Sequence, residues 1–421
     1  MQSPGTPGPN RRQDGQPVMP FRPFAAVQMA PPDPILGIVE QFKQSPNPDK
    51  VNLCIGVYQD ESGVNPVLKS VKQAERIWLE RETTKDYLGM AGEEGLCRAV
   101  QELVFGPDSA LVKERRAATL IAPGGTGALR VGADFLHGQF PKASVWISDP
   151  TWPNHRGIFE AAGLGVKTYP YYDNARHGLA FDKMLAALEQ VPEGDVVLLH
   201  ACCHNPTGCD PAPAQWDRIV AALQRRPVLP FLDFAYQGFG QGLDPDAYGV
   251  RAFANAGLEL LVSSSFSKNF GVYRERVGAI TFVTGGSDEA ARVMSRAKLT
   301  ARANYSNPPA HGGKAVEIVL STPELKSLWL TEVTGMCSRI QQMRRLFVAT
   351  LKAKGVKQDF GFILEQRGMF SFSGITGAKV QKLKDRYGIY MSDNGRINVA
   401  AMTPSNMDYL CSSIAAVLAE G

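Results

Sequence analysis

Apolar positions along the chain follow two alternating patterns. Short continuous runs at Ala118–Ile121, Ser144–Ser148, Val166–Tyr169, Val196–Ala201, Val228–Asp233, Leu260–Ser263 and Gly278–Val283 have the length of strands buried on both faces. Helix-like stretches separate or precede them at Pro66–Glu82, Glu93–Phe105, Thr126–His137, Asn154–Ala162, Phe181–Gln190 and Pro213–Gln224. Such alternation predicts an α/β unit with a mostly parallel sheet flanked by helices. A long helical stretch, Pro323–Lys354, leads to a different pattern, with strand-like Phe360–Leu364, Met369–Ser373 and Ile397–Ala400 and a closing helix Ser405–Ala419. Near the start, Ile35–Gln44 reads as a short amphipathic helix and Val51–Val57 as a strand interrupted by Gly56.

These patterns divide the chain into a large α/β domain over 66–335 and a smaller α+β domain that combines 35–65 with 336–421. Residues 19–34 read as an extended arm, because their prolines prevent a helix. Residues 1–18, rich in Pro, Gly, Gln and Arg, read as a disordered leader. They lack the apolar core of a signal peptide.

Composition narrows the function classes. A length of 421 residues suits two domains, and 44% hydrophobic residues allow a large core. The net charge of +4 gives no reason to expect nucleic acid as partner, and no apolar run approaches the ~20 residues of a membrane span. The seven cysteines have no paired spacing, which suggests reduced thiols in a cytoplasmic protein. Neighbouring Cys202 and Cys203 on a strand point to opposite faces, so no metal site is expected there.

Ligands of open α/β sheets sit beyond the carboxyl ends of the strands, so the residues after each apolar run carry the candidate chemistry. After Ala118–Ile121 comes Gly124-Gly125-Thr126-Gly127 before a helix, a backbone that suits a phosphate or a plain tight turn. After Val196–Ala201 comes His204-Asn205-Pro206-Thr207-Gly208. The Val228 run ends in Asp233, followed by Tyr236, and an isolated carboxylate there must be paired. After Leu260–Ser263 comes Ser265-Phe-Ser267-Lys268, then Glu275-Arg276. Taken singly, each has a bland reading as a turn, a helix cap or a solvated lysine. Together they supply an amine for a reversible imine, a carboxylate for a ring nitrogen, a phenol and an amide for a ring oxygen, and a phosphate cradle.

In that order the motifs resemble the class I aspartate/aromatic aminotransferases, which are pyridoxal-phosphate enzymes of fold type I. The resemblance rests on Gly124–Arg130, Asp149–His155, His204–Gly208, Asp233–Phe239, Ser265–Gly271, Glu275-Arg276, Arg302–Pro309, Gly368–Phe372 and Gly395–Val399, and covers roughly residues 30 to 420. It implies that Lys268 carries pyridoxal 5'-phosphate as a Schiff base and shuttles the substrate proton. Asp233 would pair with the pyridinium nitrogen with His155 behind it. Tyr236 and Asn205 would contact the ring oxygen, and Trp152 would stack on the ring. Gly125, Thr126, Ser265, Ser267 and Arg276 would hold the phosphate, with Tyr87 reaching the neighbouring subunit's cofactor in a homodimer.

For the substrate, the resemblance implies Arg396 on the α-carboxylate, Gly56, Trp152 and Asn205 beside it, and Arg302 crossing the dimer interface to a side-chain carboxylate. Closure of the small domain on substrate would follow. Gly124 stands where many relatives carry serine, and Ala401 where glycine is frequent. The implied reaction is ping-pong transamination between L-aspartate, with aromatic amino acids, and 2-oxoglutarate. The alternatives are an aromatic-preferring aminotransferase or another fold-type-I enzyme such as a C–S lyase. A non-catalytic binding protein would not need Lys268, and a nicotinamide-dependent dehydrogenase would need a complete glycine fingerprint.

Overall fold

A computed structural model describes residues 22–30 and 36–420. The leader expected over 1–18 and part of the arm lie outside them. Of the arm, Pro23–Ala26 forms a single 3-10 turn.

The centre is a seven-stranded sheet: β1 (Ala117–Pro123), β2 (Ser144–Asp149), β3 (Gly165–Pro170), β4 (Val196–His200), β5 (Leu229–Phe234), β6 (Leu260–Ser265) and β7 (Val277–Val283), in the order β1-β7-β6-β5-β4-β2-β3. The neighbours from β6 through β3 are parallel, and β7 is antiparallel to both β6 and β1. Six strands therefore point one way. Their side chains alternate between two apolar layers. Val196, Leu198, Phe231, Leu261 and Ile280 pack on one face. Val197, Leu199, Leu232, Val262 and Ala279 pack on the other. Both faces are buried under helices, which is why these strands read as continuous apolar runs.

This topology gathers the carboxyl ends of β1, β2, β4, β5 and β6 at one edge. The one reversed strand adds to the same edge through its start, because Val277 pairs with Pro123 and Gly278 with Ser265. Arg276, just before β7, is thereby set beside the β1 turn and the β6 end. The approach is close enough that a side chain at Gly278 would collide with the Gly124 backbone.

A second layer is built from short pairs: Val51–Asn52 lies parallel to Ile389–Tyr390, and Phe370–Phe372 antiparallel to Arg396–Asn398. The 31-residue helix Pro323–Ala353 packs on the C-terminal helix Pro404–Ala419. The latter starts one residue before the sequence-based boundary. Thr403 caps it reciprocally, accepting from Asn406 N–H at 3.2 Å while Asn406 Oδ1 accepts from Thr403 N–H at 2.9 Å.

Two expectations are corrected. Phe360–Leu364 is not a strand: Gly361–Glu365 is a 3-10 turn, started by Asp359 accepting from Gly361 N–H at 2.7 Å. Its Phe360 and Ile363, three residues apart, both face the core. The side chains of Cys202 and Cys203 do not diverge. Cys203 has a φ of 51°, which breaks the strand alternation and brings both thiols within 4.8 Å of each other and of an Asp246 oxygen. That carboxylate already accepts from Gly238, Gly240 and Gln241 N–H, and burial raises the pKa of both thiols.

Candidate active site

At the gathered strand ends lies a cavity of about 240 Å³. It is lined by Gly56, Gly125, Thr126, Trp152, Asn205, Asp233, Tyr236, Ser265, Ser267, Lys268, Arg276 and Arg396 from the sequence reading. Leu129, His200, Ala235, Tyr273 and Phe370 complete the lining.

Lys268 sits at the turn after β6, and its Nζ lies 4.4 Å from the centre of the Tyr236 ring. Burial lowers its pKa to about 8; the Asp233 carboxylate opposes this and the Arg276 charge adds to it. About a tenth of the amine is then neutral at pH 7, against well under a hundredth for a free lysine.

Asp233 is near the end of β5 and is 7% exposed. Burial acts to raise its carboxyl pKa. The contributions of His155, His200 and Lys268, led by the His155 hydrogen bond, together outweigh this and hold it below the usual range. His155 Nε2 lies 3.0 Å from Asp233 Oδ2. An ionised carboxylate only accepts, so Nε2–H donates. His155 Nδ1 lies 2.8 Å from Thr151 Oγ1, which in turn lies 3.1 Å from His200 Nε2. His200 is held neutral by burial and by His155, with a pKa of about 3. The acid is thus backed by a hydrogen-bonded chain that runs from His155 through Thr151 to His200.

A cationic cradle forms the opposite wall. Gly124 starts the helix Gly124–Gln139 at a φ of 72°, with the Arg276 guanidinium packed against it. At that φ a serine backbone would be strained, and its side chain would displace the Arg276 guanidinium. Ser265 Oγ lies 3.3 Å from Ser267 Oγ, and Arg276 donates to Ser267 Oγ at 3.4 Å. Backbone N–H groups at a helix N-terminus, two hydroxyls and a guanidinium form an anion site suited to a phosphate.

On the third side Arg396 is 3% exposed. It donates to Asn205 Oδ1 at 3.1 Å and to Cys54 O at 2.9 Å, and it stacks 4.2 Å from the Phe370 ring centre. Its Nε–H has no protein partner among the described residues. Asn205 also donates to Tyr236 Oη at 3.5 Å. The turn that carries Asn205 is fastened by half-buried Asp210, which accepts from Cys203 N–H at 2.7 Å and His204 N–H at 2.9 Å.

Two of the sequence candidates are outside the cavity. Tyr87 is 91% exposed, and Arg302 is exposed, donating to Ser306 Oγ at 2.7 Å. Their segments adjoin, because Asn307 donates to Leu88 O at 3.0 Å. His200, Tyr273, Phe370 and Asp210 escaped the sequence reading as site residues. His200 ends a strand beside the motif it serves, which was an available signal. Tyr273 and Phe370 look like ordinary apolar positions.

The donor set fits pyridoxal phosphate. An amine of lowered pKa shares the cavity with an acid for a ring nitrogen and a cradle for a phosphate, and a guanidinium lines it for a carboxylate. Residues 48–414 match the model of aminotransferase class I and II. The chain is 52% identical to the aspartate aminotransferase of Escherichia coli K12, with 94% of this chain and 100% of that protein aligned. It is 45% identical to the aromatic-amino-acid aminotransferase of the same organism, again over 94% and 100% of the two chains. The crystal structure of the aromatic-amino-acid aminotransferase from Burkholderia pseudomallei, covalently bound to pyridoxal phosphate, superposes with a TM-score of 0.93 at 50% identity, covering 94% of this chain and 100% of that one.

Proposed function

Because this chain belongs to the class I and II aminotransferases, we propose that it exchanges amino groups between aspartate or aromatic amino acids and 2-oxo acids, 2-oxoglutarate among them, by a ping-pong sequence. The enzyme is an aminotransferase with pyridoxal 5'-phosphate as cofactor. When bound, that group supplies an aldehyde and an electron-withdrawing ring that acidifies the substrate α-hydrogen. The observation that carries the reading is the enclosure of Lys268, Asp233 and Arg396 in one cavity.

The chain's own residues divide the work. Lys268 anchors the cofactor and, once freed, accepts the substrate α-proton at Nζ and returns it. A pKa of about 8 supports this, because the amine can do both near neutral pH. Asp233, kept ionised by His155, holds a proton on the ring nitrogen. Tyr236 and Asn205 would hydrogen-bond the ring oxygen, and Trp152 would cover the ring. Gly125, Thr126, Ser265, Ser267 and Arg276 would hold the phosphate. Arg396, which lines the cavity with Gly56, clamps the substrate α-carboxylate. The segments 35–65 and 336–421 form the smaller domain, which closes on the large one, 66–335, when substrate binds.

The arginines lining the cavity are Arg276 and Arg396, both with assigned partners. A second carboxylate on aspartate therefore needs a cation from elsewhere. Exposed Arg302 and Tyr87, on adjoining segments, support a homodimer in which each subunit completes its neighbour's site. Among the described residues no helix is long and apolar enough to cross a membrane. Seven buried free thiols support a cytoplasmic setting.

The test compares aspartate, tyrosine and phenylalanine as donors to 2-oxoglutarate in the parent enzyme and in Arg302→Ala. The reading expects turnover with all three and a loss in the variant at least about tenfold greater for aspartate, the value of one charge-assisted contact. Equal losses would remove Arg302 from the site, and no turnover would refute transamination of these substrates.

A further inference from the structure

We propose that Asn398 is a positioning residue that joins the substrate-facing segment 53–57 to the strand carrying Arg396, making one rigid body of the α-carboxylate site. This rests on the Arg396 role proposed above. Asn398 is 0% exposed, and its carboxamide is satisfied on both sides. Oδ1 accepts from Ala400 N–H at 2.9 Å, while Nδ2 donates to Ile55 O and, at 3.0 Å, to Val57 O. The two carbonyls flank Gly56, which lines the cavity. With an N–H on one side and two carbonyls on the other, the amide has a single satisfied orientation.

Other contacts run across the same seam. Asn398 N–H donates to Leu53 O at 2.8 Å, Gln59 N–H to Ala400 O at 3.2 Å, and Arg396 to Cys54 O at 2.9 Å. Phe370, paired with Asn398 across the ladder, carries the ring on which Arg396 stacks. A Cβ on Gly56 would lie 2.9 Å from that ring's Cζ. On its far side the segment is tied differently: Tyr58 N–H donates to Tyr273 Oη at 3.0 Å, close to the Lys268 turn. Asn398 therefore decides which way the segment moves if the site opens. It stays with the carboxylate clamp and parts from Tyr273.

Two variants separate this role from mere packing. Asn398→Ala removes both donors and the volume. Asn398→Asp keeps the shape and the Ala400 contact but turns an oxygen toward two carbonyls. With hydrogen bonds as the cause, KM for aspartate rises about tenfold in the first and more in the second, with kcat and cofactor affinity within about threefold of the parent. A purely packing role predicts that Asp is the milder change, and that order, or KM within about twofold in both, would overturn the proposal.

Hydrogen exchange of the parent holoenzyme decides the matter even if a variant fails to fold. The amides of Leu53, Cys54 and Gln59 should open together with those of Asn398 and Ala400, and succinate should slow both groups alike. Independent opening of the two groups would overturn the proposal. Failure of the parent to transaminate would sink the functional reading instead, leaving the joint opening of the two segments to stand or fall by itself.

Discussion

Replacing Arg396 by lysine keeps the charge but removes the fork. In the parent, the guanidinium spends one N–H on Asn205 Oδ1 at 3.1 Å and one on Cys54 O at 2.9 Å, and still has its Nε–H free. A single ammonium cannot serve those two acceptors and both oxygens of a substrate carboxylate. At least one charge-assisted contact to the substrate is lost, and at least one internal acceptor is left bare in a site where the arginine is 3% exposed. Each such contact is worth ~1.5–3 kcal/mol, so two cost about 3–6 kcal/mol, or about 10²–10⁴ in kcat/KM. The assay is steady-state kcat/KM with aspartate, with the visible absorbance of the bound cofactor as a check that the rest of the site is intact. A loss below about tenfold with normal cofactor binding would refute the argument that bidentate recognition at this residue orients the substrate.

The pH dependence of Lys268 gives a second expectation. The neutral amine is the nucleophile, so the rate at which the cofactor-free protein takes up pyridoxal phosphate should rise through pH about 8 and level off above it. The folded chain sheds this proton at about 8 and an unfolded one near 10.5, so this group's contribution to apoprotein stability is unfavourable below 8 and relieved between 8 and 10.5. An uptake rate unchanged between pH 6 and 9 would contradict both. Asp233→Asn, which removes the charge facing the ring nitrogen but keeps the His155 contact distance, should lower kcat at least about a hundredfold. A drop of less than tenfold would deny the acid its role.

Much of the catalytic edge was legible in the sequence for a topological reason. Strands buried on both faces appear as short apolar runs, and a parallel sheet delivers the residues after each run to one place. Lys268, Asp233, Asn205 and the Gly124–Thr126 turn each sit at or just beyond the end of such a run. The rest was hidden where the local signal is weak or contradictory. The helix Ser287–Asn304 buries Ala290, Ala297 and Ala301, too small to show a clear apolar stripe. The helix His311–Ser321 opens near two glycines, which argue against it, yet the packing of Glu275 against Gly312 demands a residue without a side chain there. Cys203 was assigned to an alternating strand, but its positive φ belongs to the turn that Asp210 fastens. Asn398 looked like one polar residue in a short strand, and only the distant carbonyls of residues 55 and 57 reveal what it holds.

The central claim is that one amine in the cavity, that of Lys268, carries the cofactor. Borohydride treatment of the holoenzyme, followed by digestion and mass spectrometry, fixes the cofactor covalently to the lysine that bears it. The account predicts the phosphopyridoxyl mass on the peptide containing Lys268 and on no other. A label on a different lysine, or none at all, would contradict it.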